Sequence, residues 1–310
     1  MRRRTIVTGA IGGFVLLVFV AAGLLLPNGM RREAVSELAV SHIHGMGMTP
    51  EGRLVLAAHS GLRVFDGKRW SIPEGERHDY MGFSLVEGGF YASGHPAPGS
   101  TLRNPLGLVF SSDLGRNVDL LALYGESDLH VMAAGYRSQV IYAWIGPEDA
   151  GGTFAEAGLY VSSDRGKTWT KRESDGLFGP VYWLAVHPDD GQTVAVLGEG
   201  GVFLSHDAGK TFERLDTEAP VTALSFTADG RLRLAVADRP PRIDEIEGPS
   251  GRLKPLDIPS LPLETGPILG LASDPVNATT IAVATHERDV WWLENGAQTW
   301  RRIMKEGIPQ

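Results

Sequence analysis

The residues best equipped for chemistry in this sequence are its histidines, of which there are nine, beside no cysteine at all. Without thiols there are no disulfides, thiolate zinc sites, cysteine nucleophiles or cysteine-linked lipids. A metal would have to be held by imidazole, carboxylate or thioether. His42 and His44 stand two apart, as do Asp128 and His130; on a strand that spacing puts both side chains on one side. Neutral imidazoles beside carboxylates are donors that zinc and copper accept. Met46, Met48, Met81 and Met132 lie in the same stretches, and thioethers would favour copper, although alternating Met also serves as core filler. Carboxylates offer a second chemistry. Glycoside hydrolysis uses two of them about 5 to 10 Å apart across a cleft, and Asp79, Glu126, Asp128, Glu199 and Asp238 are available. Asp79 and Asp128 are the catalytic candidates.

These residues matter only if the chain brings them together, and the repeats say how. Short β-branched and aromatic runs recur (RLVLAAHSGLRVF, GGFYASGH, QVIYAWIG, TVAVLGEGGVFLS, RLRLAVAD, TIAVATHERDVWWL), bounded by Gly, Asp and Asn as strands are. Turns such as Pro50 to Gly52, Pro188 to Gly191, Ala228 to Gly230 and Asp274 to Asn277 join neighbouring strands. Six units start near Leu38, His78, Ser127, Gly179, Ala219 and Gly266, a period of roughly 40 to 50 residues, as in four-stranded propeller blades. The expectation is an all-β, six-bladed β-propeller over residues 38–310. Seven blades, or closure by a strand shared between the two ends, is the alternative.

In such a blade, residues early in the first strand and late in the second meet at one channel mouth. His42, His44 and His59 of the first unit fall there, with Asp79 and His95 of the second and Asp128 and His130 of the third. His286 of the sixth unit neighbours the first after ring closure. His187 and His206 fall in turns of the opposite face, and His78 flanks the mouth. The metal-ligand set is therefore His42, His44, His59, His95, His130 and His286, for copper or zinc. Asp79, Asp128, Glu126 and Glu199 are the ligand-binding carboxylates, and a polar pocket for a sugar or peptide has the same geometry. The loops Ser93 to Ser100 and Gly146 to Ala157 could cover the mouth, whereas Pro240 to Pro255 reads as a solvated loop.

Ahead of the repeats, Arg2, Arg3 and Arg4 precede an uncharged run from Thr5 to Leu26, long enough to cross a bilayer as a helix. Residues 1–30 read as a retained signal anchor and 31–37 as a linker, with the propeller held outside a cell membrane in single-pass form; cleavage would make it secreted. Net charge is -8, with basic and acidic residues interspersed, so nucleic acid is not an expected partner.

One short motif recurs at blade spacing. Ser162-Ser163-Asp164-Arg165-Gly166-Lys167-Thr168-Trp169 and Ser205-His206-Asp207-Ala208-Gly209-Lys210-Thr211-Phe212 are full copies, Ser111 to Asn117, with Asp113, is a degraded one, and Asn295 to Trp300 a short one. This resembles the Asp-box, or BNR, repeat of sialidases, sortilin-type receptors and photosystem assembly factors. The stretches HIHGMGMTPEG, DYMGFS, SGHPAPGS, NPLGLVFSSD, SDLHVMAAGY and GLYVSSDRGKTW are similar to bacterial propellers described as glycosyl-hydrolase-like. The resemblance implies structural roles for Asp113, Asp164, Gly166, Trp169, Asp207, Gly209 and Phe212, in which Asp accepts backbone hydrogen bonds, Gly takes φ > 0 and the aromatic packs between blades. The arginine triad and Tyr/Glu nucleophile pair of sialidases are not assignable to positions here. Three functions follow in order: a membrane-anchored propeller binding a protein or carbohydrate ligand at its mouth through a His-held metal; a glycosidase-like hydrolase; and an assembly scaffold for a membrane or exported protein.

Overall fold

A computed structural model describes residues 36–247 and 252–310. The anchor expected over 1–30, and all but the last two residues of the linker, lie outside the described residues. Among the described residues no helix is long and apolar enough to cross a membrane.

The chain forms six antiparallel sheets, each built from consecutive strands. The first strand of each sheet, namely Ile43–Met48, Asp79–Val86, Val131–Ala134, Val181–Val186, Val221–Phe226 and Ile268–Ser273, contacts the first strands of the neighbouring sheets in cyclic order. These are the inner strands of a closed six-bladed propeller. The last sheet carries a fifth, outermost strand, Ile308–Pro309.

The second strands explain the cohesion. Leu54–Ala58, Val194–Gly198, Leu232–Val236 and Ile281–Thr285 are buried at every position. Because side chains alternate across a strand, Leu54, Leu56 and Ala58 pack against blade six, while Val55 and Ala57 pack against blade two. An apolar cluster sits at each of the six blade interfaces. Closure uses no shared strand. Instead Trp70 Nε1 donates to the Ile303 carbonyl at 2.8 Å, and the Val40 N–H donates to the Gly307 carbonyl at 2.9 Å. Buried Arg63 pins the segment entering blade one, donating to the carbonyls of Glu37, Leu38 and Ala39.

The Asp-box turns join third and fourth strands. Asp164 accepts from the Thr168 N–H at 2.9 Å and its hydroxyl at 2.7 Å, while Ser162 Oγ accepts from the Gly166 N–H at 2.9 Å. Those bonds, the backbone one foremost, hold the Asp164 carboxyl at about 2. Asp207 repeats the geometry with Thr211 and Ser205, and Asp113 keeps its core with Asn117 and Ser111. Gly166 and Gly209 take φ of 80° and 79°. Trp169 packs into the interface of blades two and three, and Phe212 into that of blades three and four.

One expectation needs correction. Within Pro240 to Pro255, the stretch expected as a solvated loop, Arg242–Glu247 and Arg252–Pro255 are instead the outer strands of blade five. Its polarity hid the strand, because Asp244 pairs with Arg242 at 2.9 Å and Glu245 with Arg233 at 2.8 Å, so charges are neutralised at the sheet rather than solvated.

Candidate metal centre at the channel mouth

The mouth is set by where the inner strands begin. In blades one, two, four, five and six the ladder slips by one residue there, leaving His44, Met81, Tyr182, Thr222 and Leu269 outside the regular pairing. Such bulges re-aim a side chain. The residues two before them are His42, Asp79, Pro180, Pro220 and Pro267, and in blade three the matching pair is Asp128 and His130. The rim is thus divided. Blades one to three present His and Asp, whereas blades four to six present Pro with Tyr182, Thr222 and Leu269.

Two compact groups form on the polar half. In the first, the Asp79 carboxylate faces His44 Nε2 at 3.2 Å and His59 Nδ1 at 2.8 Å. In the second, Asp128 Oδ2 faces His95 Nε2 and His130 Nε2, each at 3.4 Å. In each group one donor atom per residue lies within 4.8 Å of the other two. His44 Nε2, Asp79 Oδ1 and Asp128 Oδ2 are buried yet accept or donate no well-directed hydrogen bond. The spacing suits a shared cation better: four donors at about 2.1 Å in a tetrahedron stand roughly 3.4 Å apart.

Outer contacts orient the second group. His95 Nδ1 lies 2.7 Å from Asn104 Oδ1, an acceptor that places the ring proton on Nδ1 and frees the Nε2 lone pair. Ser93 Oγ donates to Asp128 Oδ1 at 3.1 Å, fixing the carboxylate so that Oδ2 points at the imidazoles. Asn104 and Ser93 escaped the reading of the sequence, since neither carries a motif.

Electrostatics couple the two groups. Burial, then the imidazoles of His42, His59, His130 and His95, holds the His44 pKa at about 4, despite its nearby carboxylate. His44 is therefore a neutral donor at physiological pH, the form a metal binds. Burial raises the Asp79 carboxyl and Asp128 adds to it, against the opposing pull of His59 and His95.

The remaining candidates separate. His42 packs against His44 with tilted rings, centroids 4.7 Å apart, but joins neither group. His286, exposed, lies in a cavity beside His42 and His44. Glu126 is taken up by the Thr153 N–H at 2.6 Å. Glu199 is exposed on blade four and Asp238 pairs with Arg242, both away from the His–Asp groups. His78 is buried and its Nδ1 accepts from the Ala97 N–H at 3.0 Å, a structural role. His187 caps the Pro188 turn, and His206 meets Thr193 Oγ1. Asp79 and Asp128 are each engaged by two imidazoles, so they do not stand as a free carboxylate pair. Below the rim, Met46, Met48, Met81 and Met132 line the central cavity of about 200 Å³ together with His44 and His130.

Residues 159–172, the end of blade three, match the BNR-Asp box repeat. The chain is an Asp-box β-propeller. Similar folds occur in the GH74 enzyme of Niastella koreensis (TM-score 0.54, 17% identity, 86% of this chain and 45% of that one) and the GH74 xyloglucanase of Xanthomonas campestris (0.53, 16%, 86% and 46%). The gluconolactonase XC5397 of Xanthomonas campestris is similar too (0.56, 13%, 80% and 84%). This propeller spans less than half the length of the two GH74 proteins, and at these identities the likeness is one of fold. No curated protein matches it by sequence.

Proposed function

We propose that this Asp-box propeller binds divalent transition metal, copper or zinc, at its channel mouth, one ion in each His–Asp–His group, and uses the open coordination positions to hold a ligand. The observation that carries this is that His44 Nε2, Asp79 Oδ1 and Asp128 Oδ2 are buried without a hydrogen bond, each 3.2 to 3.4 Å from a facing donor atom of its His–Asp–His group. A buried polar atom left unsatisfied costs about 1 to 3 kcal/mol; a cation in the first group would satisfy His44 Nε2 and Asp79 Oδ1, and one in the second Asp128 Oδ2. Three protein donors leave a position free, as in sites where a metal meets water or substrate rather than serving as a staple. The uncharged run Thr5 to Leu26 supports tethering at a membrane with the propeller outside.

The test uses full-length protein in mild detergent, stripped with chelator, dialysed against copper or zinc and measured by elemental analysis. Wild type should retain close to two ions per chain, and a His44→Ala/His130→Ala variant with an unchanged circular dichroism spectrum should retain almost none. Negligible uptake by wild type overturns the reading.

A further inference from the structure

A second cavity opens beside the first His–Asp–His group, with a volume of about 150 Å³, lined by His42, His44, Trp183, Leu269, His286 and Arg288 among others. Its wall is built from opposite sides of the ring. Trp183 comes from blade four and the others from blades one and six, and Trp183 also lines the central cavity. Leu269, at the bulge of blade six, is 44% exposed. No carboxylate lines this space, and a cavity of this size accommodates a benzene ring.

Arg288 is the charged group here, and it is unusual twice over. Its φ is 67°, a left-handed conformation that is strained for a non-glycine residue. The turn holds it through Arg288 N–H to the Thr285 carbonyl at 2.9 Å and Gly307 N–H to the Arg288 carbonyl at 3.0 Å. Asn or Gly would sit there with less strain, yet the chain has Arg. Its Nε is buried beside Gly307 without an acceptor, and among the described residues its guanidinium has no ion pair. The adjacent carboxylates are engaged elsewhere: Asp289 with Arg302 at 3.2 Å and the Glu306 N–H at 2.7 Å, Glu287 with His286 at 3.9 Å. Arg233 and Arg242, by contrast, have their carboxylates.

We propose that this cavity is a subsite for a small carboxylic acid with an aromatic or branched body. The carboxylate would lie on the terminal nitrogens of the Arg288 guanidinium, as a charge-assisted pair, the apolar body on Trp183 and Leu269, and the far end at the ion held by His44, His59 and Asp79. That last contact rests on the metal reading above; the Arg288 subsite does not. His44 lines the cavity and belongs to the metal group, which places the two ends of one ligand side by side.

The probe is 4-methylbenzoate, titrated calorimetrically into full-length protein with its metal and after chelation, with neutral 4-methylbenzamide and inorganic phosphate as comparators. Benzoate should bind at least tenfold more tightly than the amide or phosphate. Arg288→Asn, which keeps a residue at ease in the left-handed turn, should lose at least tenfold with an unchanged melting temperature. Leu269→Glu removes an apolar contact from both ligands and adds a negative charge that only the acid meets, so it should weaken the acid by a larger factor than the amide. Equal affinity of wild type and both variants for the acid, phosphate preferred over benzoate, or no binding to protein carrying its full metal load overturns the subsite. Binding that survives chelation in a protein that takes up no metal supports the subsite and removes the metal reading alone.

Discussion

Asp79 and His95 are direct cross-strand partners on the blade-two hairpin, yet their side chains serve different groups. Asp79 turns back to His44 and His59 of blade one, and His95 turns forward to Asp128 and His130 of blade three. Blade two is thus the common wall of both groups, and each group straddles a blade interface. The apolar clusters at those interfaces fix blade against blade, which holds the donors at coordinating distance.

Because the carboxylates are not shared, the groups should fail one at a time. Asp79→Asn is expected to reduce zinc uptake from two ions per chain to one, and Asp128→Asn to do the same. Removal of one donor from three should weaken that site by at least tenfold, as even outer-shell changes do. Calorimetric titration with zinc reads both stoichiometry and affinity; loss of both ions in either variant would show a single fused centre instead.

The burial of His44 carries a pH signature. Its pKa is about 4 in the folded chain and about 6.5 when unfolded. Between those values the unfolded state binds the extra proton, so stability falls as pH drops through that window, by at most about 1.4 kcal/mol per pH unit. Asp79, raised by burial, works in the opposite sense at the acid end. Metal-free wild type should therefore lose more of its melting temperature between pH 7 and pH 5 than His44→Gln. Parallel losses would mean that His44 is not held neutral.

Much of this was legible in the residues themselves. Period and turn chemistry announce six blades, and the Asp-box copies locate the turns between third and fourth strands. Placing first-strand starts and second-strand ends at one mouth selects His44, His59, Asp79, His95, Asp128 and His130, which the structure brings together in two groups. What spacing cannot see is register. His42 and His44 are two apart and should share a side, but the ladder slips at His44, which turns it into the group and leaves His42 packed outside. Nor does pairing across a hairpin predict that Asp79 and His95 part company, since that depends on how neighbouring blades approach. Arg288 gives no sequence signal at all: what marks it is a left-handed backbone together with a guanidinium that has no ion pair among the described residues.

The Asp-box turns should act on stability alone. A Cβ at Gly166 would lie 2.4 Å from Leu108 Cδ2, at φ of 80°, so Gly166→Ala combines steric overlap with backbone strain. The expected cost is about 1 to 3 kcal/mol, read by guanidinium unfolding. Metal content should not change, because the turn lies outside the mouth; a variant that lost its ions at full stability would contradict the structural role.

Ring closure can be tested through Trp70, whose indole N–H reaches blade six at Ile303. The Ile303 carbonyl also accepts from the Gln310 N–H at 3.0 Å, so Trp70→Phe removes one bond without orphaning the acceptor and should cost about 1 kcal/mol. Trp70→Ala also empties the packing against Phe65, whose ring centroid is 5.1 Å away, and should cost about 3 to 5 kcal/mol. The two metal groups should then respond unequally. Blade one, which carries His44 and His59, loses one of its two neighbours, while blades two and three keep both. Zinc titrations of Trp70→Ala combined with Asp128→Asn isolate the first group, and those combined with Asp79→Asn isolate the second. Affinity should fall several-fold further in the first than in the second, and an equal fall would mean that blade one is positioned by blade two alone.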